Sequence, residues 1–268
     1  MKLFFISLAS GSSGNCYYLG TDSYGILIDA GIGVRTIKKA LKDRGIDFSR
    51  IVGVLITHDH ADHIKSVGGL GEKCNLPVYA TEDVHNGIEK NRYVEETLYR
   101  SRKVIQKENP FNVRDFKITA FDVPHDSTDN VGYYIEYGEH KFTIATDVGH
   151  ITDTIAKYIC KANRLIMEAN YDEEMLKHGS YPDFLKERVS GPKGHLSNRE
   201  AAEFIATHYS PQLKDVWLCH LSKDNNHPEL LYKTIDYRLH QEGIRVGKDI
   251  SIHVLKRNTP SEIYVLEL

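Results

Sequence analysis

The segment of this 268-residue chain best suited to chemistry is 58–63 (HDHADH), which contains three histidines and two aspartates. It directly follows an apolar run, so it should lie at the carboxyl end of a buried strand. An extended backbone turns His58 and His60 to one side, and Asp62 and His63 follow on a turn or a first helical turn. Imidazole and carboxylate ligands suit Zn, Mn or Fe. The segment therefore predicts the beginnings of two adjacent metal sites.

Four further segments each place an acid or a histidine within or after an apolar run. They are 27–31 (LIDAG), 123–126 (VPHD), 145–150 (ATDVGH) and 219–222 (CHLS). Together with HxHxDH, and in this order, they resemble the metallo-β-lactamase superfamily over nearly the whole chain. The resemblance implies two metal sites that share an aspartate, with Asp29 as a buried residue behind them. The first site would hold His58, His60, His125 and Asp147, and the second Asp62, His63, Asp147 and His220.

Two divalent ions in such sites favour a phosphodiester as substrate. Their charge of +4 exceeds the charge of the two ligand aspartates, Asp62 and Asp147, and a hydroxide bridging the ions would still leave the centre cationic. Two ions about 3.5–4 Å apart can activate that hydroxide and stabilise both the attacking and the leaving oxygen. Bound water ionises near a pKa of ~7, so hydroxide is available at neutral pH. We expect Asp62 to be essential for this hydrolysis.

A second pair, Glu168 and His195, also points to phosphate chemistry. Glu168 ends an apolar run, and His195 stands in the segment GHLS at the start of a predicted helix. The pair resembles the Glu and the Gly-His-x-Ser/Thr element of tRNA-processing and related nucleases. That resemblance implies that His195 contacts phosphate and assists proton transfer while Glu168 holds it, and a helix N-terminus favours an anion there. Alternatively, Glu168 is an ion-pair residue and His195 merely neighbours the helix cap.

Three stretches narrow the resemblance to the small bacterial WalJ (YycJ) family. They are 10–15 (SGSSGN), 57–63 and 219–226 (CHLSKDNN). That family implies a cytoplasmic, metal-dependent nuclease that degrades DNA from 5′ ends, with single strands as the expected substrate, and is linked to mismatch repair. Only 24 residues separate His195 from His220, too few for the large cap domain of RNA-degrading relatives. Loop 10–15 either borders a phosphate or forms a hairpin turn.

Other functions stay open at this point. A small-molecule hydrolase, either a cyclic phosphodiesterase or a thioesterase, is the main alternative, and a non-catalytic metal-binding regulator is the third hypothesis. Thioesterases of the glyoxalase II type usually carry a C-terminal helical domain, and only 48 residues follow His220 here. The lactam-hydrolysing branch usually has a cysteine in the second site. Cys219 neighbours His220 on a predicted strand and should face the opposite side.

The composition is that of a globular protein, with 41% hydrophobic and 26% charged residues, which excludes fibrous and wholly disordered chains. No apolar run approaches the ~20 residues of a membrane span. A net charge of −3 excludes a globally basic nucleic-acid binder. Four widely spaced cysteines without a CxxC pair indicate reduced thiols and a cytoplasmic location. We predict a single domain over residues 1–268.

Short β-rich runs alternate with helical patterns along the chain. Strands are predicted at 3–8, 16–20, 24–29, 51–56, 117–123, 131–137, 141–146, 163–168, 216–220, 251–255 and 262–267. Helices are predicted at 34–44, 62–74, 82–90, 152–160, 198–208 and 228–242. Hairpin turns are predicted at Tyr24-Gly25 and Tyr137-Gly138. The α/β pattern therefore predicts an αββα sandwich, the metallo-β-lactamase architecture of two mixed sheets with outer helices.

One stretch, 84–107, has a composition that suits single-stranded nucleic acid. It carries six cationic side chains against three glutamates, and Tyr93 and Tyr99 lie among them. The cationic residues are Lys90, Arg92, Arg100, Arg102, Lys103 and Lys107. Positive charge and aromatic rings together bind the phosphates and bases of single strands. The alternative is a solvated helix face with no ligand.

Overall fold

The computed structural model describes residues 2–267, which form fourteen β-strands and eight α-helices. The strands are β1 (Leu3–Ala9), β2 (Cys16–Gly20), β3 (Gly25–Ile28), β4 (Ile51–Leu55), β5 (Val78–Ala80), β6 (Arg102–Val104), β7 (Phe111–Val113), β8 (Phe116–Asp122), β9 (Val131–Tyr137), β10 (His140–Ala145), β11 (Arg164–Glu168), β12 (Asp215–Cys219), β13 (Ser251–Val254) and β14 (Tyr264–Leu266). The helices are α1 (Val34–Lys42), α2 (Ala61–Ile64), α3 (Glu82–Lys90), α4 (Asp153–Ile159), α5 (Glu173–His178), α6 (Asp183–Ser190), α7 (Asn198–Thr207) and α8 (Pro228–Gln241).

The strands form two mixed sheets of seven strands each. The first has the order β14–β1–β2–β3–β4–β5–β6, antiparallel from β14 to β3 and parallel from β3 to β6. The second has the order β13–β12–β11–β10–β9–β8–β7, parallel from β13 to β10 and antiparallel from β10 to β7. The last strand, β14, returns to pair with β1, so the C-terminal part of the chain completes the first sheet.

Apolar side chains fill three layers of this molecule. Between the sheets, Phe5 of the first sheet packs against Phe142 and Trp217 of the second, with ring centroids 5.4 and 4.8 Å away. Helices α1, α2 and α3 cover the outer face of the first sheet, and α4, α7 and α8 cover that of the second. Alternate residues of a strand face opposite sides, so strands buried on both faces are almost wholly apolar. The predicted αββα sandwich is confirmed.

The prediction of one continuous helix over 62–74 is wrong, because the helix is interrupted in the middle of this range. Helix α2 ends at Ile64, and a turn separates it from a π-helical segment at Gly69–Lys73. The glycines in this stretch allow a close approach by the following loop. A Cβ at Gly68 would lie 2.5 Å from Glu96 Oε2, and one at Gly71 would lie 2.6 Å from Ser101 Oγ. Tertiary packing therefore overrides the helical pattern here.

Five elements were not predicted, and each lacks the signal on which periodicity depends. Strands β5, β6 and β7 have three residues each, too few to establish an alternation. Helix α5 has one buried residue and α6 has none, so neither shows an apolar stripe. Very short strands and solvent-facing helices are therefore the elements that a single sequence hides.

Both predicted hairpins exist. Tyr137 pairs with His140, and Gly138 between them has a left-handed φ of 57°. The other turn spans 21–24 and is closed by a 2.7 Å hydrogen bond from Thr21 N to Tyr24 O, so Gly25 belongs to β3 and not to the turn. No helix formed by residues 2–267 combines the length and the apolarity that crossing a membrane requires.

Candidate metal centre

Polar side chains collect where strands of both sheets end. Five strands run parallel to a neighbouring strand, and each ends in or is followed by one of these polar residues: β3, β4, β10, β11 and β12. The carboxyl ends of parallel strands are the usual edge for a ligand site in an α/β fold. The nine predicted site residues all lie in this cluster: His58, His60, Asp62, His63, His125, Asp147, Glu168, His195 and His220. Both sheets contribute to it.

The predicted first site is a group of three histidines. The nitrogens offered by His58, His60 and His125 lie within 4.8 Å of one another, and His60 Nδ1 is 3.3 Å from His125 Nε2. The other ring nitrogens are held from behind. Thr57 Oγ1 lies 3.0 Å from His58 Nδ1, and the Gly194 carbonyl oxygen lies 3.0 Å from His125 Nδ1. Such contacts fix which nitrogen faces the site.

The predicted second site contains Asp62, His63 and His220, whose donor atoms also lie within 4.8 Å of one another. Asp62 Oδ2 is 3.6 Å from His63 Nε2 and 3.5 Å from His220 Nε2. Behind His63, Asp29 Oδ2 accepts a 2.8 Å hydrogen bond from Nδ1. This buried contact directs His63 Nε2 toward Asp62 and His220.

Asp147 lies between the two groups. Its Oδ2 is 3.3 Å from His63 Nε2, and its Oδ1 is 3.7 Å from His125 Nε2. Thr146 Oγ1 donates a 2.7 Å hydrogen bond to Oδ2, and Asn130 donates to the Asp147 carbonyl at 2.9 Å. Oδ2 thus faces His63 of the second group, whereas Oδ1 lies between His125 and His220, whose Nδ1 is 3.3 Å from it. Its assignment as a ligand shared by two ions stays a prediction.

Opposite charges dominate the electrostatics of the centre. Burial opposes the charged form of Asp147, but the imidazoles of His220 and His63 hold its pKa well below the usual range. Burial also opposes protonation of His63, yet Asp147, Asp29 and Asp62 together raise the pKa of His63 to about 9. Burial lowers the pKa of His58 well below its ordinary value. In the chain alone, protons supply the positive charge that bound cations would supply.

The donor atoms fit divalent cations. His58 Nε2 and His220 Nε2 are buried, and neither has a hydrogen-bond partner among residues 2–267. A buried polar atom without a partner costs about 1–3 kcal/mol, so binding of a cation by these two nitrogens would be favourable. Nitrogen and carboxylate donors without thiolate suit Zn, Mn or Fe. The residues present therefore agree with the metal ions that the fold family implies.

Removing metal should lower the thermal stability of the protein. A ligand at 1,000 times its Kd stabilises the native state by about 4 kcal/mol, which for a chain of this size corresponds to roughly 8–16 °C in Tm. We expect a fall of this order when EDTA is added, and recovery when Zn or Mn is restored in excess. Differential scanning calorimetry measures both. An unchanged Tm in EDTA would contradict the presence of a tightly held ion.

The carboxylate of Glu168 lies at the back of the centre. Its Oε1 accepts 2.8 Å hydrogen bonds from His195 Nδ1 and His220 Nδ1, and its Oε2 accepts from the backbone N–H groups of Val148 and Leu196 at 2.8 and 3.2 Å. Burial opposes its charge, but His195 and these hydrogen bonds lower the pKa of Glu168. An ionised carboxylate only accepts, so one proton of His195 stays on Nδ1 and Nε2 is left to face substrate. Burial opposes protonation of His195, but Glu168 raises the pKa of His195, which favours the imidazolium with a second proton on Nε2.

Helix α7 begins with a capping box that does not use His195. Ser197 Oγ accepts from Glu200 N at 3.2 Å, and Glu200 Oε2 accepts from Ser197 N at 2.8 Å. His195 lies two residues before this cap, with its ring turned toward Glu168. The cap fixes the start of α7, and it thereby fixes the loop that carries His195.

Loop 10–15 contributes two residues that the sequence did not identify. Asn15 is fully buried, and its Nδ2 lies 2.9 Å from His63 Nε2 and 3.4 Å from Asp62 Oδ2. Ser10 Oγ, also buried, accepts a 3.0 Å hydrogen bond from the backbone N–H of His220. The loop therefore contacts all three residues of the predicted second site. An asparagine that directly precedes an apolar strand is the only signal of this role in the sequence.

Replacing Asn15 by alanine should loosen the second site more than the first. Because Asn15 Nδ2 donates to Asp62 Oδ2, we expect the second equivalent of Zn to bind about 10- to 100-fold more weakly, the usual effect of losing a hydrogen bond to a ligating carboxylate, with the first equivalent little changed. Isothermal titration calorimetry of metal-free protein separates the two equivalents. Asn258→Ala is a suitable control, because Asn258 contacts the exposed Ser13 of the same loop. Equal weakening of both equivalents would contradict the role given to Asn15.

Asp126 and Arg188 form an ion pair at the edge of the three-histidine group, and neither was predicted as a site residue. Arg188 Nε lies 2.5 Å from Asp126 Oδ2, and Asp126 Oδ1 lies 3.4 Å from His125 Nε2. The pair links exposed helix α6 to the centre.

Cys219 lies away from the centre, as its position beside His220 predicts, but the local geometry differs. Strand β12 ends at Cys219, and His220 follows it with a left-handed φ of 56°. Cys219 packs in the apolar layer between the sheets, where burial raises the pKa of its thiol well above its ordinary value. A neutral thiol is a poor metal ligand.

Comparison with known proteins identifies the family. A family model described as a β-lactamase superfamily domain matches residues 24–219. The chain belongs to the metallo-β-lactamase superfamily. Exodeoxyribonuclease YycJ of Bacillus anthracis is 35% identical to this superfamily member over 98% of the chain and 99% of its own length. Exodeoxyribonuclease WalJ of Streptococcus pneumoniae serotype 2 is 33% identical over 96% of the chain and 95% of its own length.

Solved structures of the metallo-β-lactamase fold are similar over the whole chain. The crystal structure of YhfI from Bacillus subtilis superposes with a TM-score of 0.72 at 16% identity, covering 99% of this chain and 100% of that one. At this identity the likeness supports the fold alone. The predicted superfamily, its resemblance to WalJ and YycJ, and the prediction of a hydrolytic enzyme are confirmed.

Proposed function

We propose that this metallo-β-lactamase superfamily enzyme is a metal-dependent exonuclease that degrades single-stranded DNA from the 5′ end and acts in mismatch repair. The observation that carries the proposal is the single buried cluster in which Asp147 lies between two groups of donors while His195 stands beside them. Similarity over nearly full length to two proteins named exodeoxyribonucleases supports DNA as the substrate.

His58, His60, His125 and Asp147 would hold one ion, and Asp62, His63, Asp147 and His220 the other. Two divalent ions bound there supply positive charge for a phosphate and the acidity that turns a water into hydroxide for attack. Zn, Mn and Fe all suit this donor set. The chain's own task is to fix the donor atoms in place, which Asp29 does for His63 and Glu168 does for His220.

His195 is the residue that we assign to proton transfer. Its Nδ1 donates to Glu168 Oε1 at 2.8 Å, and its Nε2 makes no hydrogen bond within residues 2–267, while the side chain reaches solvent. A proton on Nε2 can be given to the leaving 3′ or 5′ oxygen as the P–O bond breaks, or can hold a phosphate oxygen in place. Glu168 keeps the ring oriented for that task.

A reconstitution experiment tests this function. Metal-free protein is reloaded with Zn, Mn or Fe and incubated with 5′- and 3′-end-labelled oligonucleotides of DNA and of RNA. We expect mononucleotide release from the 5′ end of DNA with at least one ion and none without metal. Release of label from the 3′ end first, or hydrolysis of RNA alone, would contradict the proposal.

The same preparation distinguishes the main alternative. A small-molecule hydrolase would turn over a thioester or a cyclic nucleotide with the same ions and leave the oligonucleotides intact. We also propose a cytoplasmic location, which agrees with four cysteines that are all free. No membrane or protein partner forms part of the proposal.

A further inference from the structure

Two of the six cations in the predicted basic stretch 84–107 are held by ion pairs. Arg102 lies between Glu82 and Glu89, with contacts of 2.6 and 2.7 Å. Lys107 contacts both Asp122 and Asp129. Side chains held by carboxylates have little charge left for phosphates. Lys90, Arg92, Arg100 and Lys103 make no ion pair within residues 2–267, and further unpaired positive charge lies beside this stretch.

A neighbouring groove carries that charge. It has a volume of about 630 Å³ and lies between the start of α1, segment 65–74 and residues 93–96. Its cations are Arg35, Lys38, Lys65 and Lys73, and its acids are Glu95 and Glu96. Lys73 is paired with Glu96, whereas Arg35 and Lys65 make no ion pair within the described part of the chain. The groove is therefore net positive.

Both walls of the groove are connected to the metal centre. Lys65 is one helical turn beyond Ala61, to whose carbonyl its N–H donates at 3.1 Å, so it lies about 5.4 Å along the axis from the start of α2. On the other wall, Asn91 Nδ2 donates to the Asp59 carbonyl at 2.9 Å, and Asn91 Oδ1 accepts from Tyr93 N at 3.0 Å. Both walls of the groove are thus joined to the HDHADH loop through a few residues.

An aromatic ring stands at the edge of this groove. Tyr93 is 51% exposed, and the Arg92 guanidinium lies 5.0 Å from its ring centroid. An exposed ring beside cations is the combination on which the bases of a single strand stack while its phosphates are neutralised. A duplex keeps its bases stacked inside, so it would interact only with the cations of the groove.

We propose that this groove binds the backbone and a base of single-stranded DNA on its way to the metal centre. Arg35 and Lys65 contact phosphates, and Tyr93 stacks on a base. The proposal rests on the proposed function and adds the path of the substrate. RNA offers the same phosphates and base faces, so the two nucleic acids are compared in the test.

Binding of a fluorescein-labelled dT20 oligonucleotide is measured by anisotropy in EDTA, where no cleavage occurs, from 50 to 300 mM salt. For Arg35→Gln/Lys65→Gln we expect about tenfold weaker binding at low salt, and a slope of log K against log salt that is smaller by about 1.4, because each single-strand phosphate contact contributes about 0.7. Tyr93→Ala should weaken binding at every salt concentration, whereas Tyr93→Phe should not. Circular dichroism verifies the fold of each variant.

A second groove gives a matched control. It lies between α7 and α8, has a volume of about 560 Å³, and is lined by Arg199, Lys233 and Tyr237. Arg199→Gln/Lys233→Gln should leave the slope unchanged. An equal loss of DNA affinity in both double variants, or no loss in either, overturns the proposal that this groove binds DNA. Hydrolysis of the same oligonucleotide by the wild-type protein with Mn is assayed separately. If the wild type cleaves it and the variants bind DNA as the wild type does, only the role of the groove is overturned. If the wild type fails to cleave or to bind the oligonucleotide, the proposed function is overturned. Equal binding of rU20 would mean that the groove accepts either single strand.

Discussion

Replacing Asp62 by asparagine should abolish DNA hydrolysis while leaving the fold intact. Asp62 contacts both His63 Nε2 and His220 Nε2, and an amide is a poor ligand for a divalent ion, so the second site loses its charged donor. Loss of a contact that supports a metal ligand lowers metal affinity or activity about 10- to 100-fold. Loss of the ligand itself should therefore lower kcat by about 10³-fold or more. Single-turnover kinetics with end-labelled DNA, together with metal analysis, measure the effect.

Asp59→Asn is the matched control for this variant. Asp59 belongs to the same loop, but its carboxylate turns away to Thr128, whose N–H donates to Asp59 Oδ1 at 3.1 Å. The same chemical change three residues earlier should therefore leave metal content and turnover close to those of the wild type. Asp62→Asn protein that still turns over DNA would contradict a hydrolytic role for the second site, unless a contaminating nuclease explains it.

Replacing His195 by alanine should lower kcat on DNA by about 10²- to 10⁴-fold, the usual contribution of a general acid, with both metal equivalents retained. The reason is geometric, because Nε2 is free while Nδ1 is held by Glu168. His150→Ala is the control, since His150 is an exposed histidine nearby whose Nδ1 contacts only the Pro192 carbonyl oxygen, at 2.8 Å. Metal content is measured on each preparation.

The leaving group distinguishes proton transfer from mere support of the loop. p-Nitrophenolate leaves without needing a proton, so a p-nitrophenyl phosphodiester should be hydrolysed by His195→Ala with a much smaller loss than DNA. A purely structural role would reduce both substrates equally. Equal losses would therefore contradict the assignment of His195 as the acid, even if activity on DNA fell as expected.

The cluster could be predicted from the sequence because its residues follow apolar strands. Once β3, β4, β10, β11 and β12 are recognised, their carboxyl ends meet at one edge, and the acids and histidines found there must be neighbours. Glu168 was noticed because it ends such a strand, whereas Asp147 was assigned through the family resemblance of 145–150 (ATDVGH). The same argument could not identify Asn15, because that residue precedes its strand and acts through contacts with residues 47 and 48 positions away.

Backbone conformation and charge pairing were beyond the reach of periodicity. Asp29, Asp147 and His220 have φ values of 60°, 55° and 56°, an uncommon conformation for side chains with a Cβ, and nothing in their neighbours predicts it. Such residues cost about 1–3 kcal/mol each and persist only where surrounding contacts impose them. Charge pairing within stretch 84–107 was hidden for a related reason, since the acids that contact Lys107 follow it in the chain.

The division of the donors between two sheets suggests a way to use the protein as a reporter. Residues up to β6 supply the HDHADH loop, and those from β7 onward supply His125, Asp147 and His220, so neither portion alone has a complete set of donors. The exposed connection at 106–110 is a natural place to divide the gene. Because β14 pairs with β1, the first sheet is complete only when both fragments are present. Nuclease activity regained on mixing would then signal that the two halves had met.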